Sequence, residues 1–237
     1  LTIRRSTIRK SAGRGLTTSA SSPTLEENTF RDNATYGAFL STMSGAIRPT
    51  VQTNTFATNG SFPLHLELAN FPSTLSANTY TGNATQAIEL GGGSLGVNVT
   101  LPHEGLPYRL TTGIEVNANQ TVNLVTLTLQ PGVTLQFAPN TGLAVGRYGP
   151  NAPAALRAVG TPAQPITFTS ASATPAPGQW AELLFGSGTT NTLLESCVIE
   201  YGGGPGSSNA SNVFLSSAPL TIRRSTIRKS AGRGLTT

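Results

Sequence analysis

Leu25-Glu-Glu-Asn-Thr-Phe30 returns as Val51-Gln-Thr-Asn-Thr-Phe56 and as Leu75-Ser-Ala-Asn-Thr-Tyr80, and Ile3-Arg-Arg-Ser-Thr-Ile8 is an earlier, looser copy. The four copies stand 22, 26 and 24 residues apart. That period suits one turn of a parallel β-solenoid, in which each coil stacks on the one before it. Apolar residues line up at Ile3, Leu25, Val51 and Leu75, and again at Ile8, Phe30, Phe56 and Tyr80, while most positions beside them are polar. Inward-facing columns of short strands have this pattern.

Two small or polar columns run alongside: Ser6, Asn28, Asn54, Asn78 and Ser11, Asn33, Asn59, Asn83. Identical Asn side chains at a bend can hydrogen-bond to the coils above and below, about 4.8 Å away, which satisfies amides that are costly to bury alone. Asn also tolerates the left-handed backbone that a tight bend requires. Leu194-Glu-Ser-Cys-Val-Ile199 aligns with Ile222-Arg-Arg-Ser-Thr-Ile227, which places Cys197 in the first of these columns and Gly202 in the second. Cys197 is therefore expected to be a small buried bend residue rather than a nucleophile. The same alignment predicts a charge ladder on the outward faces, pairing Arg4 with Glu26, Arg5 with Glu27, Lys10 with Asp32, Glu195 with Arg223 and Glu200 with Arg228. Each exposed pair contributes only about 0.2–1 kcal/mol, so the ladder fixes register more than stability.

The stretch LTIRRSTIRKSAGRGLTT occupies Leu1–Thr18 and recurs without a mismatch at Leu220–Thr237. The duplication implies a 219-residue unit repeated head to tail, with residues 220–237 opening the next unit. It also explains the net charge of +5, because the second copy alone brings five basic residues and no acid; one unit has ten of each. No basic stripe with interleaved aromatics exists outside the copies, so nucleic acid is not an expected partner.

With 11% charged residues, 26 Gly, 16 Pro and abundant Thr, Ser and Asn, the chain reads as turn-rich and β-rich, without long helices. One Cys rules out an internal disulfide, and no apolar run reaches the length of a membrane span. Starting at Leu1, the chain is expected to be a mature segment or fragment with any targeting signal outside it. Coils are expected over 1–90 and 121–237, with 91–120 as an irregular junction, cap or loop where the spacing is lost. Leu127–Phe137 reads as two strands about a Pro-Gly bend, Ile166–Thr169 and Trp180–Phe185 as further strands, and the Gly- and Pro-rich stretches 91–96, 149–155 and 202–208 as loops.

The strings TLTLQPGVTLQFAPNTGLAVG, LRAVGTPAQPITFTS, PGQWAELLFG, CVIEYGGG and SNVFLSSAPLTIRRSTI resemble the right-handed parallel β-helix repeats of bacterial surface and secreted proteins, on the pectate-lyase-like superfold. The resemblance covers about residues 105–237 and continues through the duplication over 1–90. It implies an all-β right-handed solenoid at an extracellular or cell-surface location. For activity it implies little, because adhesive, structural and polysaccharide-cleaving proteins share this superfold.

Enzymes of that superfold use carboxylate clusters, with calcium and a basic residue or as paired acids. Asp32 is the one Asp of the chain, and the nine Glu are scattered and form no cluster outside the charge ladder. His65 near Glu67 and His103 beside Glu104 are too isolated for a zinc site or a catalytic triad. Gly91-Gly-Gly-Ser and Gly202-Gly-Gly-Pro lack a following helix or a P-loop Lys. The sequons at Asn33, Asn59, Asn83, Asn98, Asn119 and Asn209 are what such a composition yields, and the outward Thr column at Thr7, Thr29, Thr55 and Thr79 lacks the second Thr of a flat ice-binding array. The expectation is thus a non-enzymatic structural repeat without catalytic residues, metal or cofactor. Its partners are identical units joined end to end, as a covalent tandem or a homopolymer, with a rise on the order of 45 Å per unit if about nine coils stack. A carbohydrate-binding adhesin using Tyr, Arg and loop residues is the alternative, with glycans as partner; a polysaccharide lyase or hydrolase comes third.

Overall fold

The structure is a computed structural model that describes residues 1–19, 21–41, 48–117 and 122–237. The sequon at Asn119 and the end of the 91–120 stretch lie outside the described residues. Two compact units are present: Leu1–Gly91 with Glu104–Tyr108, and Gly92–His103 with Arg109–Thr237. Both are parallel β-solenoids, and the one helical element among the described residues is the 3-10 turn Leu68–Asn70.

In the first unit each coil contributes three short strands. Thr2–Arg4, Thr24–Glu26, Thr50–Gln52 and Thr74–Ser76 stack in that order; Thr7–Arg9, Thr29–Arg31, Thr55–Ala57 and Thr79–Thr81 form a second stack. Leu16–Ser19, Ala38–Ser41, Leu64–Glu67 and Ile88–Gly91 form the third. Register places Ile3 opposite Leu25, Leu25 opposite Val51 and Val51 opposite Leu75. Three-residue strands with one central inward side chain are the local solution to a coil of this length, so like residues meet directly. Phe30, Phe56 and Tyr80 stack ring on ring, at 5.0 and 5.6 Å between centroids. Burial of such columns is worth about 1.5–3 kcal/mol per large side chain, which offsets the ordering entropy of turns with little other core.

In the second unit one stack runs Gly93–Leu95, Ile114–Val116, Leu143–Val145, Leu183–Phe185, Ser211–Leu215 and Arg233–Thr236. Another runs Val99–Leu101, Val125–Leu129, Ala154–Val159, Leu193–Glu195 and Thr221–Arg223. The third includes Thr134–Phe137, Ile166–Ser170, Cys197–Glu200 and Thr226–Arg228. Strands at Gly93–Leu95, Val99–Leu101 and Ile114–Val116 thus place coil where the sequence suggested an irregular junction over 91–120. The period is hidden there because coil length is uneven. Gly93, Ile114, Leu143, Leu183 and Val213 stand in line, giving coils of 21, 29, 40 and 30 residues whose extra length projects as loops. Trp180 precedes its strand rather than opening it. It stacks on Phe137 at 4.3 Å, and its indole N–H donates to the Glu200 carbonyl at 2.8 Å.

Candidate functional site

Both polar columns of the first unit are continuous hydrogen-bonded ladders. Asn28 Oδ1 accepts from the Ser6 amide at 3.1 Å, Asn54 Oδ1 from the Asn28 amide and Nδ2, and Asn78 Oδ1 from the Asn54 amide and Nδ2. The second column repeats this through Ser11, Asn33, Asn59 and Asn83. Each Nδ2 also reaches a carbonyl of the coil above, as Asn28 does at Ile3 and Asn54 at Leu25. Asn28, Asn33, Asn54, Asn59 and Asn83 are buried, so three of the sequons are closed to modification. The first ladder ends on Glu104, which accepts from Asn78 Nδ2 at 3.1 Å and from the Tyr80 hydroxyl at 2.9 Å.

The bend itself is not made by Asn. The left-handed residues are those just before the ladder positions: Arg5, Lys10, Glu27, Asp32, Thr53, Thr58, Ala77 and Gly82. A ladder Asn must keep its amide aimed along the stack. The conformational cost of turning, about 1–2 kcal/mol for a residue with a Cβ, falls on its outward-facing predecessor.

The charge pairs follow register with two exceptions. Arg4 Nε lies 2.6 Å from Glu26, Arg5 Nε 2.9 Å from Glu27, and Arg228 Nε 2.7 Å from Glu200. Asp32, expected opposite Lys10, is instead bonded by Arg31 at 3.0 Å and by the Thr58 hydroxyl. Those groups reach it from its own strand and from the following coil. Glu195 stands in register with Arg223 but is bonded by Arg224, one residue on. Cys197 is buried. Its amide donates to the Ser225 hydroxyl at 3.0 Å, its thiol donates to the Ala158 carbonyl, and burial pushes its pKa up to about 12.

The two copies of the eighteen-residue stretch share their first two strands, while the third runs over Leu16–Ser19 in the first copy and two residues earlier in the motif, over Arg233–Thr236, in the second. Thr2–Arg4 and Thr7–Arg9 correspond to Thr221–Arg223 and Thr226–Arg228, and the left-handed residues Arg5 and Lys10 recur as Arg224 and Lys229. Their pairing differs in side. The first copy pairs with the coil that follows it, Thr2 to Thr24 and Thr7 to Thr29; the second pairs with the coil that precedes it, Leu193 to Thr221 and Val198 to Thr226.

His65 has more company than its sequence neighbour Glu67. Its Nδ1 lies 2.7 Å from Glu89 and its Nε2 3.0 Å from Glu67, its ring stacks on Phe39 at 3.9 Å, and Tyr36 donates to Glu89 at 2.9 Å. With both carboxylates ionised, the imidazole can donate to each of them at once only in its protonated form. Desolvation pulls the His65 pKa down, yet the two carboxylates together set it above the ordinary value. Desolvation, reinforced by Glu89, pushes Tyr36 up to about 12. The acids sit on opposite sides of the ring and do not converge, and no group of three or more His, Cys, Asp or Glu among the described residues could hold a metal ion. The register column Phe39, His65, Glu89 is the signal that could have found this cluster.

On the second unit a groove of about 340 Å³ runs past Glu115, Asn140, Arg147 and Glu182. Glu115 accepts from Arg147 at 2.8 Å and from the Tyr148 hydroxyl at 2.7 Å; Glu182 is buried and accepts from the Ser207 hydroxyl and the Ser208 amide. Each carboxylate is thus already held by donors.

The model of the right handed β-helix region family matches residues 1–101, the coils of the asparagine ladders and the start of the uneven stretch. These residues are a right-handed β-helix. Neither the curated proteins nor the solved structures contain a match to the chain. No helix among the described residues is long and apolar enough to cross a membrane.

Proposed function

We propose that this chain is a repeat of a non-enzymatic extracellular structural array, in which right-handed β-helical units continue one another end to end. One observation carries the proposal: the same eighteen residues bond a following coil in one copy and a preceding coil in the other. Laid on each other, the two copies become one coil with both edges paired, and the boundary between units disappears into the same apolar columns and bends. The paired state of the ladder acids, and of Glu115 and Glu182, supports a structural rather than catalytic use. In electron micrographs a chain carrying the 219-residue unit twice or more should form stiff rods that lengthen with unit number, by on the order of 45 Å each. Strings of separate globules would refute it.

The groove at Glu115 favours a second reading as a glycan-binding adhesin, since the hydroxyl of exposed Tyr148 donates to Glu115 of its lining. Saturable binding on a glycan array, lost in Tyr148→Ala, would move the function there.

A further inference from the structure

The groove on the second unit follows the stack of coils. Register sets Ser94, Glu115, Ala144 and Leu184 in one column, which spans about 14 Å at a coil spacing of about 4.8 Å. The column beside it holds Gly113, Gly142 and Glu182, so the open space is left by two missing side chains and the small Ala144. Packing explains only part of this. A Cβ at Gly142 would stand 2.7 Å from the Glu182 carbonyl oxygen, whereas at Gly113 it would meet nothing closer than 3.3 Å.

Glu182 lines this groove and is 3% exposed. Both donors to its carboxylate are neutral: the Ser207 hydroxyl at 2.7 Å and the Ser208 amide at 2.9 Å. Those two belong to the loop whose Gly206 also faces the groove. Arg147 is the one base of the lining among the described residues, and Glu115 holds it at 2.8 Å. The lining thus carries two carboxylates against one guanidinium, and the excess negative charge is the buried one. A carboxylate buried without a counter-charge is costly, and a cation brought by a ligand offsets that cost.

Resting on the glycan-binding reading above, we infer that this groove takes an oligosaccharide bearing a protonated amine, with the ammonium against Glu182 and the C–H face of a sugar ring over Ala144 and Leu184. An acidic sugar would set a third negative charge beside Glu115 and Glu182. A neutral sugar would leave Glu182 without a counter-charge. A lysine side chain would supply the charge, but it has no hydroxyls for Ser94 and Asn140, which stand exposed at the groove.

Isothermal titration of the whole chain at about pH 5.5, where carboxylates are ionised and the sugar amine is protonated, tests this. A glucosamine trimer should bind at least about tenfold more tightly than an N-acetylglucosamine trimer, the effect of about one hydrogen bond between charged groups. A galacturonic acid trimer should not bind. Ser94→Trp, at an exposed position of the lining, should block the amino sugar. Glu182→Gln, with wild-type circular dichroism and melting, should bring the amine and N-acetyl trimers to within about twofold of each other. Equal binding of those two trimers by the wild type, or tighter binding of the uronate, would overturn the inference and leave the adhesin standing. Tri-lysine bound as tightly as the amino sugar, and likewise blocked by Ser94→Trp, would overturn the choice of a sugar. No binding of the glucosamine trimer overturns the inference in every case; saturable binding of another glycan on an array would then keep the adhesin, and its absence would remove that reading too.

Discussion

Asn54→Ala tests the ladder where it is most enclosed. Asn54 is 1% exposed; its Oδ1 accepts from the Asn28 amide at 3.0 Å, and its Nδ2 donates to the Leu25 carbonyl at 2.9 Å. Alanine leaves both backbone groups without a partner in a place where water cannot follow, because Asn28 is itself 1% exposed. An orphaned buried polar group costs about 1–3 kcal/mol, so two cost about 2–6. Freeing the ordered amide side chain returns about 1 kcal/mol, for a net loss of about 1–5. That is a large share of the about 5–15 kcal/mol that holds a domain folded. Urea unfolding followed by far-ultraviolet circular dichroism should show a lower midpoint at unchanged slope. Thr53→Ala, one residue away on the outward bend, should stay within about 0.5 kcal/mol of wild type. A loss below about 1 kcal/mol at Asn54, or equal losses at the two positions, would refute the ladder as a source of stability.

The cluster at His65 gives the first unit a pH window. The raised His65 pKa contributes stability that is complete below its ordinary 6.5 and is lost as pH rises through the folded value; the lowered Glu89 pKa contributes stability present above its ordinary 4.5 and lost on acidification through the folded value. Thermal midpoints should therefore be highest between those pH values and fall on the alkaline side, and His65→Gln should flatten the alkaline limb; an unchanged limb would remove His65 as its cause. Cys197, buried with a thiol pushed up to about 12, should react with a thiol reagent only in proportion to the unfolded fraction. A rapid full-amplitude reaction of the folded chain would contradict its placement at a closed bend.

The first unit was legible because its coils are nearly equal in length. When Leu25, Val51 and Leu75 recur at similar intervals, alignment alone gives register, and with it the partners of Asn28 and Arg4. Where loops of different size interrupt the coils, as between Leu143 and Leu183, strand order is kept but the interval carries no information. Side-chain direction was harder to read than position. Glu195 and Arg223 are aligned, yet it is Arg224, one residue later, that bonds the carboxylate. The His65 cluster was missed for a related reason: Glu89 is 24 residues away and meets His65 only through sheet register, outside the motif that defined the columns.

Along the first asparagine ladder the residue that makes the bend faces solvent, and its identity is almost free: Arg5, Glu27, Thr53 and Ala77 hold the same left-handed geometry in successive coils. Shape and surface chemistry are thereby uncoupled. Mutation can rewrite the electrostatic pattern of this molecule rung by rung, writing acid, base or neutral methyl along its flank, while the interior that propagates the helix never registers the change.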